Sequence, residues 1–243
     1  MVRALTDTSS TKQTAVHDSA PPPLQHWLSV LVRRAIDVAV ALGALTLLSP
    51  LLVAAWVLVK LTSRGPVFYV QERVGLNGAT FMMLKFRTMR VDAEQSTGPV
   101  WAADHDPRCT PIGGWLRRLS IDELPQLINV LRGEMSVVGP RPERPYFVEK
   151  FSREYLAYGK RHAVRPGLTG WAQIHGWRGN TSLVERLRCD LEYVDRQSVA
   201  LNLYILAMTP YVVLTGGNVP DIATAVGANE TKSLLVPRQR DAA

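Results

Sequence analysis

The chain has 243 residues, enough for one medium-sized domain with appendages, and it carries a formal net charge of +7. This charge indicates a polyanionic partner such as nucleic acid, acidic lipid or a phosphorylated substrate. The two cysteines, Cys109 and Cys189, lie far apart without a C-x-x-C motif. This spacing argues against a disulfide framework or a zinc site and is typical of a reducing compartment.

The first part of the chain predicts a tail followed by a membrane segment. Residues 1–27 are predicted to form a disordered tail, because Ser, Thr, Ala and Pro dominate the first 23 positions. The next segment, residues 28–62, contains an uncharged apolar run from Val38 to Val59. As a helix this run reaches about 33 Å, enough for a bilayer core of roughly 30 Å. The run therefore predicts a membrane segment.

Two features of this run bear on whether it crosses the membrane. Basic residues flank both of its ends, and Pro50 lies in its middle. Pro50 removes the hydrogen bond to the carbonyl of Thr46 and is expected to kink the helix, while Ser49 can donate to a freed carbonyl. A helix that bends at Ser49 and Pro50 and leaves on the face it entered explains both features. A straight span with a tolerated proline explains the composition equally well.

A β-hairpin is predicted next. Residues 67–74 and 81–89 are rich in β-forming residues and flank the turn sequence Gly75-Leu76-Asn77-Gly78. Because side chains alternate along a strand, Lys85 and Arg87 are expected to point to the same side. Two cations on one face could contact a phosphate, but for two residues alone an ordinary solvated face is the default interpretation.

The stretch from Leu119 to Gln126 is the most informative part of the chain. It places Asp122 and Glu123 just before Pro125, and a proline is tolerated only in the first turn of a helix. A helix start favours negative charge from side chains or from a bound phosphate. A capping box from Ser120 to Glu123 is the simple alternative. The surrounding arginines favour phosphate chemistry instead. They are Arg117, Arg118, Arg132, Arg141 and Arg144.

Two later segments place an arginine next to a proline. Prolines flank Arg141 on both sides, and Pro166 follows Arg165. The restricted backbone presents each guanidinium on a stiff extended segment, which suits a phosphate or a carboxylate. Residues 183–194 are typical of an amphipathic helix. Residues 201–214 predict a buried or interfacial apolar helix that is too short to span a bilayer.

These stretches resemble one family, the bacterial sugar transferases. They are monotopic phosphoglycosyl transferases that begin exopolysaccharide or O-antigen synthesis on a polyprenyl phosphate. The likeness covers roughly residues 28–214. The matching stretches are Arg33-Arg34 with Asp37, Ser49-Pro50, Gly65 to Tyr69, Gln71 to Gly75, Lys85 to Met89, Ser120 to Asn129, Gly133 to Pro142 and Arg165 to Asn180.

The resemblance implies an α+β, mostly helical fold. It implies a re-entrant membrane helix over residues 28–62 hinged at Ser49 and Pro50, followed by a small β-hairpin. A helical catalytic domain with interfacial helices would extend over residues 63–215, and residues 216–243 would form a C-terminal tail. The catalytic domain would lie on the cytoplasmic face of the bacterial inner membrane.

The resemblance also implies the residues of the site. Asp122 would be the nucleophile of a catalytic dyad with Glu123, and the two would hold a Mg²⁺ cofactor. Basic positions near the diphosphate and nucleotide would be Lys85, Arg117, Arg141 and Arg165, and Arg87 joins this predicted substrate-binding set. Asn202 stands where the family usually has an aspartate, so Asn202 is left out of the predicted site and the role of its helix stays open.

The implied reaction moves a hexose-1-phosphate from UDP-glucose or UDP-galactose to undecaprenyl phosphate through a covalent aspartyl intermediate. Membrane lipid would be a further partner, nucleic acid would not, and a homodimer is one option for the assembly. Two other classes compete: an inactive membrane scaffold of a polysaccharide assembly, and a membrane-tethered nucleic-acid-binding protein that uses Trp171 and Trp177. The intact pair of Asp122 and Glu123 argues against the scaffold, and nucleic-acid binding leaves the pair unexplained.

Overall fold

The computed structural model describes residues 24–95, 98, 100, 106–179 and 181–219. Helices dominate, with two small two-stranded sheets, which confirms the mostly helical α+β prediction. The helices are α1 Leu24–Leu47, α2 Ser49–Thr62, α3 Gly113–Arg118, α4 Gln126–Arg132, α5 Pro145–Glu154, α6 Trp171–Ile174, α7 Leu183–Arg196 and α8 Val199–Thr215. The strands are β1 Phe68–Val74, β2 Thr80–Phe86, β3 Ser136–Val138 and β4 Gly167–Thr169.

The predicted tails fall mainly outside the described residues. Helix α1 already begins at Leu24, so the last four residues of the predicted N-terminal tail are helical. Residues 1–23 lie outside the description, as do residues 220–243 of the predicted C-terminal tail. The predicted helices over residues 183–194 and 201–214 correspond to α7 and α8 and are confirmed.

The apolar run forms two helices with a bend of 64° between them. Among the described residues, no single helix is long and apolar enough to cross a membrane, whereas this bent pair meets the requirement by length and composition. The break lies at Leu48, and the Ser49 hydroxyl donates to the carbonyl of Thr46 at 2.8 Å. Pro50 cannot supply that hydrogen bond, so the predicted kink and the predicted compensation by Ser49 are both confirmed.

The bent pair leaves large apolar side chains on the protein surface. Leu47 and Leu61 have 80% and 77% of their surface exposed, and Val53 and Trp56 are exposed as well. Most monomeric soluble proteins do not expose contiguous apolar surface of this kind.

Helix α1 is also joined to the rest of the fold by buried polar contacts. The Arg34 guanidinium donates to the carbonyls of Val130 and Leu131, at 2.6 and 2.9 Å, where α4 ends. The Asp37 carboxylate accepts a hydrogen bond of 2.8 Å from the backbone N–H of Val137 in β3. Both contacts supply hydrogen-bond partners to backbone groups at the end of α4 and in β3.

The two sheets differ in how far the sequence predicted them. The hairpin of β1 and β2 is antiparallel, from the pair Phe68 and Phe86 to the pair Val74 and Thr80, and confirms the prediction. Strands β3 and β4 pair in parallel, which was not predicted. The two backbone segments come so close that a Cβ atom on Gly167 would lie 2.0 Å from the backbone nitrogen of Gly139. Glycine is therefore required at this contact.

One hydrophobic cluster joins the elements that carry the candidate site. Met83 of β2 and Leu127 and Val130 of α4 pack together with Ala41 of α1. The hairpin, the helix after the dyad and helix α1 therefore form one packed unit.

Candidate active site

Asp122 and Glu123 lie in a single 3₁₀ turn, Ile121–Glu123, immediately before α4. Helix α4 begins at Gln126 with Pro125 in front of it, which confirms the predicted helix start. Ser120 adopts a left-handed backbone with φ 56° and makes no capping hydrogen bond. The capping-box alternative is therefore wrong, and the Glu123 carboxylate binds side chains elsewhere.

Two cations bind the Glu123 carboxylate. Lys85 Nζ lies 3.0 Å from Oε1, and the Arg141 guanidinium donates to both oxygens, with a distance of 2.9 Å to Oε2. Burial alone would raise the pKa of Glu123, but Arg141 and Lys85 outweigh it and hold that pKa well below its usual range. Glu123 is therefore an ionised carboxylate with both oxygens occupied.

Asp122 is in a different environment, although it is the next residue. Its side chain is buried and makes no hydrogen bond to any residue that the structure describes. Burial and the neighbouring charge of Glu123 raise the pKa of Asp122 to about 6, against the opposing effect of Lys85, Arg141 and Arg117. An unpaired buried carboxyl that titrates near neutrality can act as a nucleophile or a base.

The structure places the other predicted basic residues in two groups. Arg117 lies in the last turn of α3, close enough to the dyad for its charge to lower the pKa of Asp122. Arg165 donates to the carbonyl of Gly133 at 3.0 Å, at the opposite end of α4 from the dyad. For Arg165, substrate binding stays a prediction.

Arg87 directly follows the end of strand β2, and its backbone N–H donates to the carbonyl of Val67 at 2.8 Å. Its buried guanidinium donates to the carbonyl and the hydroxyl of Ser63, at 2.9 and 2.7 Å, just beyond α2. Lys85 instead contacts Glu123. The structure thus joins Lys85 to the dyad and Arg87 to the end of α2, and a substrate contact by Arg87 stays a prediction.

Asn129 is a positioning residue that sequence reasoning missed. Its fully buried side chain accepts from the N–H of Leu84 at 3.0 Å and donates to the carbonyl of Met82 at 2.9 Å. These are the two hydrogen bonds that a further strand would make with β2. They fix β2 against α4 and so place Lys85 beside Glu123. The sequence signal that could have identified Asn129 is an amide side chain among the apolar residues of α4.

Asn202 lies away from the dyad. Its Oδ1 is 2.9 Å from the hydroxyl of Tyr193, which also lies 3.1 Å from the carbonyl of Val138. Asn202 is buried in α8, so in this chain it supports the packing of α7 and α8 against β3.

The dyad offers only part of a metal site. Among the described residues, no three His, Cys, Asp or Glu side chains are grouped so that they could hold a metal ion. Both Glu123 oxygens already accept from Lys85 or Arg141, whereas the Asp122 oxygens accept no hydrogen bond from the described residues. Mg²⁺ is commonly held by one or two carboxylates together with substrate phosphates. Asp122 is therefore suited to supply one ligand, with the remainder from substrate and water.

Comparison with known proteins assigns the family. A family model described as bacterial sugar transferase matches residues 28–216. The undecaprenyl-phosphate glucose phosphotransferase of Komagataeibacter xylinus is 45% identical over 197 residues, covering 77% of this chain and 36% of that protein. The UDP-glucose:undecaprenyl-phosphate glucose-1-phosphate transferase of Escherichia coli K12 is 44% identical over 185 residues, covering 74% of this chain and 40% of that protein.

A third relative has a similar length to the matched region. The exopolysaccharide production protein PSS of Rhizobium leguminosarum bv. phaseoli is 40% identical over 200 residues, covering 78% of this chain and 98% of that protein. By contrast, the chain spans less than half the length of the Komagataeibacter and Escherichia relatives. The match over residues 28–216 shows that the chain belongs to the bacterial sugar transferase family.

Proposed function

We propose that this chain transfers a hexose-1-phosphate from a UDP-hexose to undecaprenyl phosphate through a covalent intermediate on Asp122. The observation that carries the proposal is the unequal pair of carboxylates. Glu123 is ionised and bound by two cations, while Asp122 beside it is buried, accepts no hydrogen bond from the described residues and has its pKa raised to about 6. Relatives named as transferases of sugar phosphates to undecaprenyl phosphate support the substrate class.

The proposed reaction consists of two displacements at one phosphorus atom. The Asp122 carboxylate attacks the β-phosphorus of the UDP-hexose, the bond to the bridging oxygen breaks, and UMP leaves with that oxygen. A phosphate oxygen of undecaprenyl phosphate then attacks the same phosphorus and releases the Asp122 carboxylate. The products are UMP and undecaprenyl diphosphate-hexose.

The charges around the dyad suit a diphosphate. Three cations, Lys85, Arg117 and Arg141, act on two carboxylates, which leaves one positive charge in excess when both carboxylates are ionised. Phosphoryl transfer depends mainly on positioning and on neutralising charge, so fixed cations favour it. Mg²⁺, when bound, would neutralise charge on the donor diphosphate, and Asp122 would supply a ligand to it.

We further propose that α1 and α2 form a re-entrant membrane segment whose two ends lie on the cytoplasmic side. The 64° bend, the exposed apolar side chains and the basic residues at both ends support this arrangement. Tyr211 and Leu214 of α8 are also exposed, as expected for a helix at a membrane interface. The arrangement brings the dyad to a lipid-linked acceptor that cannot leave the bilayer.

A labelling experiment tests the nucleophile. The full chain is incubated with Mg²⁺ and a UDP-hexose that carries radiolabel in the sugar, without undecaprenyl phosphate. Wild type is expected to retain label on the protein, and Asp122→Asn to retain none, because an amide does not form the acyl phosphate. Turnover should fall by about 10³-fold or more in that variant. Label retained on Asp122→Asn would rule out Asp122 as the attacking group.

Repeating the incubation with several UDP-sugars identifies the donor. Adding undecaprenyl phosphate to the labelled protein should then release the label into lipid. Active wild type that never retains label would instead favour direct attack by the lipid phosphate.

A further inference from the structure

The segment that carries Arg141 is fixed through its carbonyl oxygens. Pro140 and Pro142 lack N–H groups, so this three-residue segment, the Arg141 strut, has a single backbone donor. Its three carbonyls each accept a hydrogen bond from a different part of the fold. The Pro140 carbonyl accepts from the N–H of Gly167 at 2.9 Å, and the Pro142 carbonyl from the Arg73 guanidinium at 3.1 Å.

The middle carbonyl, that of Arg141 itself, accepts from the Arg161 guanidinium at 2.7 Å. Arg161 is only 2% exposed and belongs to the 3₁₀ turn Tyr158–Ala163. Its Nε and Nη2 atoms bind one oxygen of Asp190 at 3.0 and 2.6 Å, and its Nη1 donates to the Tyr158 hydroxyl at 3.0 Å. Every nitrogen of the guanidinium therefore has a partner.

Arg161 has a fixed direction as well as a fixed position. A guanidinium is planar, so Asp190 and Tyr158 together determine the plane in which the remaining donor points. That donor meets the carbonyl of the residue whose own side chain binds both oxygens of Glu123. Asp190 lies on α7, far along the sequence from the dyad, and is linked to it through this chain of hydrogen bonds.

We propose that Arg161, oriented by Asp190, is a positioning residue that holds the Arg141 strut so that the Arg141 guanidinium meets Glu123. The two prolines restrict rotation at either side of Arg141, so the strut moves as a unit about its ends. Removal of the middle hydrogen bond would free that motion. The role rests on the proposed function, because it acts through the Arg141 and Glu123 contact.

A purely structural role for the buried pair is the competing explanation. Replacement of a buried ion pair by apolar residues of similar size is often neutral or stabilising, so stability and positioning can be separated. The combined variant Arg161→Met and Asp190→Leu removes both charges and fills the space. It leaves the Arg141 carbonyl without its donor.

The test is a double-mutant cycle on the full chain in detergent or lipid nanodiscs. Release of UMP from UDP-hexose in the presence of undecaprenyl phosphate is measured for wild type, Arg141→Ala, the combined variant, and the combined variant carrying Arg141→Ala. Loss of positioning is expected to lower kcat/KM by about 10- to 100-fold in the wild-type background. In the Arg141→Ala background the same change is expected to cost less than about twofold, because residues that act through one contact are not additive.

A matched control comes from another side-chain hydrogen bond. Thr209→Val removes the 2.8 Å contact between Thr209 and Thr169, which does not involve the strut. Its effect on kcat/KM should be small and equal in both backgrounds, even if thermal unfolding shows a similar loss of stability. If the combined variant does not fold, Arg161→Lys replaces it, because an ammonium can pair with Asp190 but cannot also reach the strut in the guanidinium geometry.

Each outcome of the double-mutant cycle either supports or overturns the positioning role of Arg161 and Asp190. Equal losses in both backgrounds, or wild-type kinetics in the folded variant, would reduce Arg161 and Asp190 to a structural role. Wild type that releases no UMP would instead overturn the proposed function, since the cycle is interpreted only against an active wild type. A loss confined to the background that retains Arg141 would establish the positioning role.

Discussion

The fork between Arg141 and Glu123 gives the sharpest prediction. Arg141 donates one hydrogen bond to each carboxylate oxygen, whereas Arg141→Lys keeps the positive charge but not the planar fork. Lys85 still binds Oε1 at 3.0 Å, so Glu123 is expected to remain ionised and the variant to remain folded. The change therefore removes about one hydrogen bond to a charged group, which is worth roughly 1.5–3 kcal/mol. If the bond is needed in the transition state, kcat/KM should fall by about 10- to 150-fold.

The measurement is steady-state release of UMP with undecaprenyl phosphate as acceptor. Arg144→Lys is the matched control, because Arg144 makes the same fork with Glu94 at 2.8 and 3.0 Å only three residues further along the chain. The carboxylate of that pair, Glu94, is more exposed than Glu123, and the pair does not include the dyad, so the control should stay within about fivefold of wild type. Wild-type kinetics for Arg141→Lys, or an equal loss for the control, would refute the reasoning.

Further predictions concern the dyad, the packing around it and the membrane segment. Activity should rise as the pH increases through the pKa of Asp122, about 6, because the nucleophile must be ionised. Lys85→Met removes a cation that lowers this pKa and should move the acid limb of kcat/KM to higher pH, while Glu123→Gln should move it to lower pH; shifts of the same sign would contradict the assignment. Asn129→Leu leaves two backbone groups without partners and should cost about 2–6 kcal/mol of unfolding free energy in a denaturant titration. Unchanged activity and stability in this variant would contradict the positioning role of Asn129. A cysteine placed within residues 1–30 should resist labelling from outside intact cells, and Pro50→Ala should increase that labelling by favouring a straight span.

Several parts of the structure could be predicted because their causes are local. Pro50 causes the bend, and the Ser49 hydroxyl donates to the Thr46 carbonyl that the proline leaves free. Both residues act within one turn of helix. Pro125 fixes the start of α4, and the dyad precedes it directly in sequence. The hairpin follows from two β-forming runs around a glycine-containing turn. In each case the partner atoms lie within a few residues.

Other features depend on segments that meet only after folding. Arg141 and Arg165 share the same Arg-Pro pattern, yet one binds Glu123 and the other the carbonyl of Gly133. Strands β3 and β4 have three residues each, too few for a period to show. Arg161 and Asp190 are 29 positions apart, so no local pattern pairs them. Tertiary packing decides which acceptor each long side chain reaches.

The contacts of α1 with α4 and β3 also constrain when and where the chain can fold. Arg34 and Asp37 find their partners 96 to 100 residues later in the sequence, so these contacts cannot form until the chain has left the ribosome as far as β3, near the middle of the catalytic region. If α1 and α2 form the proposed re-entrant membrane segment, this apolar pair would already have met the bilayer during that interval. The catalytic region would then assemble on an anchored first helix, with final folding completed at the membrane surface. A truncated chain without α1 would leave the end of α4 and the N–H of Val137 without these partners, so removing the anchor would not simply yield a soluble enzyme.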